Sequence, residues 1–205
     1  MSVGDARRSR RTAASGHRDA ALEAAMLVAS VEGLEAITIG GVAARASLPK
    51  STVQTLFADR AALQIAALDR GVRRFEDYLR EAGDLPAAPL DRLARVLDTW
   101  LSFVAGRHLP GGCLISSSLM EYRARTGPLK SAVLAQAERW KSIVLDLLDE
   151  ATARGDLAGG TDVLAVFHDI RSVQLAANVA ACLSDADGVS HARIRFKDIV
   201  ERVRA

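Results

Sequence analysis

The sequence predicts an all-α protein of about nine helices, and three observations carry that prediction. Apolar residues recur at helical spacing, as at Leu22, Ala25, Met26 and Ala29, while no β-branched run has the length of a strand. Proline occurs only 5 times in 205 residues, and Gly/Pro clusters mark the boundaries between periodic segments. Aromatic residues make up 4%, so the core must be built from Leu, Val, Ile and Ala. With 49% hydrophobic and 25% charged residues the balance is globular, which excludes wholesale disorder. A chain of this length can bury a substantial core without disulfide or metal staples.

The elements follow in order. Residues 1–14 hold Arg7, Arg8, Arg10 and Arg11 without apolar periodicity, and read as a flexible basic arm. The first helix covers residues 17–32 and stops at Gly33. Thr38 is a suitable N-cap for a short helix over residues 39–46. Pro49 breaks the pattern, and a third helix follows over residues 50–57 with Val53, Leu56 and Phe57 inward. Asp59 caps a longer helix reaching residue 80, with an apolar stripe of Leu68, Val72, Phe75 and Leu79. Residues 83–89 are a linker. Helices are expected over residues 90–105, 113–125 and 128–154, the last opening at Gly127-Pro128, where Pro suits a first helical turn. Thr161 or Asp162 caps the next, to residue 183. Residues 184–188 form a loop, and Ser190 caps a final helix.

The net charge of +2 is too small to identify a partner. Two cysteines, Cys113 and Cys182, make neither a disulfide framework nor a metal-ligand spacing, so a reducing, cytoplasmic setting is expected. No apolar signal core follows the N-terminal arginines. The longest apolar stretch, residues 173–183, is interrupted by Asn178 and too short to span a bilayer, so no membrane partner is expected. Ser116-Ser117-Ser118 lacks the glycines of a nucleophile elbow, no phosphate loop or dinucleotide fingerprint is present, and the four histidines are scattered. Neither an enzyme nor a bound cofactor is expected.

The informative segment is residues 38–57, two short helices joined by a tight turn. Ala43 is small where the second helix must cross the first, Ser47 sits in the turn, and Leu48, Val53 and Leu56 pin the second helix. Lys50, Ser51, Thr52, Gln54 and Thr55 are left facing outward, a set of short polar groups and one cation. Such a face can meet base edges and phosphates in a DNA major groove, which makes this a helix-turn-helix candidate.

Gly33-Leu34-Glu35-Ala36-Ile37-Thr38-Ile39, then Val42-Ala43-Ala44-Arg45-Ala46, resembles the opening of a TetR/AcrR-family regulator. Thr52-Val53, Phe57, Asp59, Arg60 and Leu63 continue the pattern, so the likeness is specific over residues 15–65 and looser beyond. It implies a helix-turn-helix DNA-binding domain over residues 15–61. It also implies a ligand-binding and dimerisation domain over residues 62–205, and a homodimer on double-stranded DNA that responds to an unknown small molecule. Thr38 would cap the second helix and face a phosphate, and Arg60 would touch the DNA backbone, with Arg10 and Arg11 of the arm adding to the anchoring. Four positions depart from the family pattern: Ser47 stands for the turn glycine, Pro49 and Ser51 alter the helix start, Gln54 replaces a phosphate-binding tyrosine, and Leu56 replaces His or Tyr. Gln54 could donate to a phosphate or pair with an adenine edge.

In the C-terminal half, residues 173–183 leave almost no polar face, so that helix must be buried on all sides. Val173, Ala177, Ala180 and Ala181, with Phe196, Ile199 and Val203 of the last helix, are the dimer-interface candidates. By helix position the ligand-pocket candidates are Phe75, Trp100, Phe103, Cys113, Ser117, Met120, Trp140, Phe167, Arg171 and Gln174. Two alternatives to ligand response remain. Cys113, at a helix start near Arg107 and His108, could act as a thiol sensor of electrophiles or oxidants. Alternatively, the departures at Gln54 and Leu56 could mark a dimeric interaction module whose head no longer binds DNA.

Overall fold

Local capping sets most of the helix boundaries. The computed structural model describes the backbone of residues 3–205 and the side chains of residues 14–205. Its helices are α1 (Val3–Glu32), α2 (Ile39–Arg45), α3 (Lys50–Leu56), α4 (Arg60–Glu81), α5 (Pro89–Ala105), α6 (Leu114–Glu121), α7 (Pro128–Arg154), α8 (Val163–Cys182) and α9 (Ala186–Arg202). A short 3-10 helix, Leu34–Ala36, joins α1 to α2. The Thr38 hydroxyl accepts from the Gly41 N–H at 3.0 Å and Asp59 from Ala62 at 2.7 Å. Asp162 accepts from Leu164 and Ala165 at 3.0 and 3.1 Å. Each removes an orphan donor from a helix start.

Four boundaries differ from expectation. The α1 bounds take in most of the stretch expected as an arm, and the side chains of Arg10 and Arg11 lie outside the described residues. The 3-10 helix was not anticipated. The last helix starts at Ala186, because Asp185, not Ser190, accepts from the Gly188 N–H at 2.9 Å. Helix α6 ends at Glu121 rather than near residue 125, because Tyr122 leaves helical geometry (ψ 7°) and buries its ring.

Helices α1–α3 form the head around Met26, Ile37, Val42, Val53 and Phe57, all buried. Ala43 is buried at the α2–α3 crossing, and the Leu48 N–H closes the turn on the Ala43 carbonyl at 2.9 Å. Ser47 sits in that turn at φ 54°, the left-handed region where the family glycine would be relaxed. Helices α5–α9 form the body around Leu93, Leu97, Leu101, Leu148 and Ile170, with α9 packed on both α8 and α5. Helix α4 belongs to both. The expected boundary between residues 61 and 62 falls in its first turn, where buried Leu63 and Gln64 face the head.

The loop before α6 is the second junction. The Gly111 N–H donates to the Ser30 Oγ at 2.8 Å, and a Cβ on Gly111 would lie 1.7 Å from the Ser30 carbonyl oxygen. The neighbour is helix backbone and cannot step aside. Gly111→Ala is therefore expected to destabilise the fold by ~1–3 kcal/mol or more, as overpacking does. Thermal or urea unfolding checks this, and a variant as stable as wild type would show that the loop does not press on α1.

Candidate functional site

The outward face of α3 carries Lys50, Ser51, Gln54 and Thr55, all exposed, with Thr52 half-buried. Val53 holds the opposite face in the core, so these side chains point away from the body. The Thr55 hydroxyl donates to the Ser51 carbonyl at 2.9 Å, which leaves its oxygen able to accept. Leu56 is half-buried; the Arg18 guanidinium donates to its carbonyl at 2.7 Å and lies 4.5 Å from the centre of the Phe57 ring. Arg60 is placed differently from expectation. Its Nε donates to the Ile37 carbonyl at 2.7 Å, and its terminal nitrogen bonds the Glu35 carbonyl and pairs with the Glu35 carboxylate at 3.0 Å. Its Nε and one terminal nitrogen are thus engaged within the head, while the side chain stays 45% exposed.

The same residues begin a link to the body that sequence reasoning missed. The Glu121 carboxylate, at the end of α6, accepts from the backbone N–H groups of Leu34 and Glu35, each at 2.9 Å. In return the Tyr122 hydroxyl donates to Glu35 Oε1. Gln64 of α4 donates to the Leu34 carbonyl at 2.8 Å, in a buried position. The Tyr122 hydrogen bond, with Arg60 and Arg125 beside it, holds the Glu35 carboxyl below its ordinary value of 4.5 against a smaller opposing effect of burial. Burial and the Glu35 charge push the Tyr122 phenol well up, so it remains a donor at ordinary pH.

Above this link lies a narrow, mainly apolar cavity of about 50 Å³ that opens to solvent, so a small-molecule occupant would have to widen it. Its walls come from five helices: α4 (Gly71, Val72, Phe75), α5 (Trp100, Phe103), α6 with its preceding loop (Leu109, Cys113, Leu114, Ile115, Ser116), α7 (Trp140) and α8 (Arg171, Gln174). Phe75 makes edge contacts with both Phe103 (5.4 Å between centroids) and Trp140 (6.0 Å). Seven expected pocket residues are thus brought together: Phe75, Trp100, Phe103, Cys113, Trp140, Arg171 and Gln174. Three are not. Met120 is exposed, because it lies on the solvent side of α6. Ser117 is half-buried off the cavity wall, and Phe167 lines an outer groove between α7 and α8. The Cys113 N–H donates to Asn178 Oδ1 at 2.6 Å. Arg107, expected beside Cys113, acts on the thiol of Cys182 instead; burial pushes that thiol up and outweighs the guanidinium. His108 stacks on Phe103.

The expected dimer residues are also placed differently. Ala177, Ala180, Ala181, Phe196, Ile199 and Val203 are buried within the protomer, where α8 meets α9 and the core, and Val173 is half-buried. Helix α9 covers the side of α8 that the sequence left unassigned. On α8, its C-cap and α9 the large apolar side chains left outward are Leu164 (51% exposed), Val179 (58%), Leu183 (74%) and Ile194 (54%).

A helix-turn-helix head joined to a helical body with an internal cavity defines the class of helix-turn-helix transcriptional regulators. The family model described as Tetracyclin repressor-like, C-terminal domain, matches residues 89–196, more than half of the chain. The chain belongs to the TetR family of transcriptional regulators, which are DNA-binding proteins and not enzymes. Its fold is similar to that of a TetR transcriptional regulator from Chloroflexus aurantiacus, with a TM-score of 0.80 at 20% identity over 94% of this chain and 98% of that one. TetR-family regulators from Streptomyces coelicolor (TM-score 0.76, 21% identity, 92% and 96% covered) and Agrobacterium tumefaciens (0.78, 16%, 94% and 100%) are similar in the same way. No curated protein sequence matches. Among the described residues no helix is long and apolar enough to cross a membrane.

The Glu35 arrangement has a sign that can be tested. The folded state holds this carboxyl ionised more strongly than the unfolded chain does. Its stabilisation is therefore fully present above the unfolded value near 4.5 and lost as pH falls through the lower folded value. Glu35→Gln should lower stability at neutral pH and flatten the fall of stability below about pH 4.5. Urea unfolding across that range checks this; parallel curves for variant and wild type would show that the Tyr122–Glu35–Arg60 contact contributes nothing.

Proposed function

We propose that this chain is a ligand-responsive repressor that acts in the cytoplasm as a homodimer. It binds a palindromic operator through α3 and releases it when a small molecule enters the cavity. The observation that carries this reading is that α6 serves both sites. Its first residues, Leu114, Ile115 and Ser116, line the cavity, and its last, Glu121, together with Tyr122 just beyond it, grips the 3-10 helix of the head. Helix α4 runs the same course, from Arg60 and Gln64 at the head to Gly71 and Phe75 at the cavity. A ligand that shifts either helix changes how the head is held. By linkage, a ligand that releases DNA binds the DNA-free state more tightly by the same factor.

The exposed polar face of α3 supports DNA reading by Lys50, Ser51, Thr52, Gln54 and Thr55, with Thr38 at the start of α2 toward the backbone. A fragment selected from genomic DNA at physiological salt supplies the operator. Binding to it is expected to weaken with salt at a slope of about −0.9 per phosphate neutralised. Lys50→Ala is expected to weaken binding by ~1–3 kcal/mol where Lys50 meets a guanine, and by less where it meets a phosphate. Fluorescence anisotropy measures both, and an unchanged affinity would remove Lys50 from the interface.

The outward stripe of α8, which runs through Ser172, Ala176, Val179 and Leu183, supports self-association together with Ile194 of α9. Leu183→Asp changes a side chain that is mostly exposed in the protomer, so the fold should survive. The variant is expected to be monomeric by light scattering and to lose operator affinity; a dimer that still binds would place the interface elsewhere.

A further inference from the structure

The wall of the cavity formed by α8 carries an unusual balance of polar groups. Arg171 and Gln174 are three residues apart, so they share one face of the helix. Gln174 is only 4% exposed, and its Oε1 accepts from the indole N–H of Trp140 at 3.1 Å. An indole nitrogen can only donate, so this bond fixes which way the amide faces: the oxygen is occupied and the NH₂ group is left over. Among the described residues no acceptor bonds that NH₂ group. Arg171 is half-buried and, among the described residues, makes no ion pair or hydrogen bond. No Asp or Glu lines the cavity. The cavity wall therefore offers a guanidinium and an amide donor side by side against aromatic and aliphatic groups; the carboxylate bordering the outer groove, Glu138, pairs with Lys141 at 3.2 Å.

A half-buried cation without a partner is costly, and an arriving anion would offset that cost. A planar guanidinium matches a carboxylate through two parallel bonds, and the Gln174 NH₂ can donate to the same group. Arg171 also borders the outer groove between α7 and α8, which places the charged end at the mouth of the cavity and the apolar body inside, beside Phe75, Phe103 and Trp140. We propose that the effector is an amphipathic monocarboxylate, held by Arg171 and Gln174 at its acid group and by the aromatic wall at its apolar body. This rests on the ligand-responsive reading above and specifies the chemistry of the ligand.

The experiment uses the full chain and two matched pairs of probes: decanoate with decanamide, and 2-naphthoate with 2-naphthamide. Trp100 and Trp140 line the cavity, so their fluorescence reports occupancy, and calorimetry gives the affinity. At least one acid is expected to bind more tightly than its amide by roughly 10- to 100-fold, the range for a charge-assisted hydrogen bond. Arg171→Gln should erase that preference while leaving amide binding and thermal stability unchanged. Decanoate favoured over naphthoate would identify an alkyl chain as the body, and the reverse an aromatic one. Amides that bind as well as acids, no binding by any probe, or an Arg171→Gln variant that keeps the preference would each overturn the proposal. Operator release is measured separately with the same probes. An acid that binds through Arg171 but leaves operator affinity unchanged would sink the repressor mechanism and leave the carboxylate site standing.

Discussion

The carboxylate of Glu121 is the point on which the two halves of the molecule depend. It accepts from two consecutive backbone N–H groups, those of Leu34 and Glu35, at the start of a helical turn whose donors have no other partner. A charged acceptor makes each of these worth ~1.5–3 kcal/mol, more than a neutral pair. Gly33 makes the approach possible. Its φ of 92° starts the turn, and a Cβ there would lie 2.9 Å from the Glu121 carboxylate. The exchange is reciprocal, since Glu35 accepts from Tyr122, the residue after Glu121. Arg60 at 3.0 Å and Arg125 at 3.8 Å balance the Glu35 charge. Arg60 is thereby tied to the head while part of its guanidinium stays exposed.

What the sequence made legible and what it concealed divide along a physical line. Thr38, Asp59 and Asp162 were readable as caps, because a cap acts over two or three residues and its chemistry is local. The helix-turn-helix was readable for the same reason: Ala43, Val53 and the outward polar set are spaced by one crossing of two short helices. Seven cavity residues were readable as well, because apolar and aromatic positions on amphipathic helices converge in any bundle. The head–body link was not, since its partners lie 86 and 87 residues apart and no periodicity marks them. Nor did the sequence say which side of α8 its neighbours would cover. A helix apolar all round gives no phase, so periodicity alone does not separate Ala177 and Ala181, buried within the protomer, from Val179, which faces outward.

Once its neighbours are fixed, α8 is a helix with three separate tasks. One face, with Ile170, Ala177 and Ala181, is buried in the protomer. A second presents Arg171 and Gln174 to the cavity. The third, with Ala176, Val179 and Leu183, is open to solvent. Alanine at three of the eight buried positions of α8, Ala177, Ala180 and Ala181, suits close approach of a neighbouring helix. The cavity-facing donors and the open face sit on one rigid element. A change in the tilt of α8 is therefore felt on both sides at once.

The two helices that border the cavity both hold the head, through different mixtures of burial and directional bonds. Helix α4 is anchored by burial, with Leu63, Ala67 and Leu68 fully buried, and also by directional bonds: Gln64 donates to the Leu34 carbonyl, Arg60 to the Ile37 carbonyl, and Arg74 to the Glu23 carboxylate of α1 at 2.7 and 2.8 Å. Hydrophobic burial is non-directional and tolerates a small slide, because the area removed from water changes little. Helix α6 holds the head through the Glu121 and Tyr122 hydrogen bonds, and these weaken steeply once distance and angle depart from their optimum. A displacement of about 1 Å would weaken the directional bonds of both helices, while the buried apolar contacts of α4 would change little. On the ligand-responsive reading proposed above, pressure on Leu114 and Ile115 at one end of α6 would reach the Glu121 and Tyr122 bonds at the other, while the buried side chains of α4 keep the head attached.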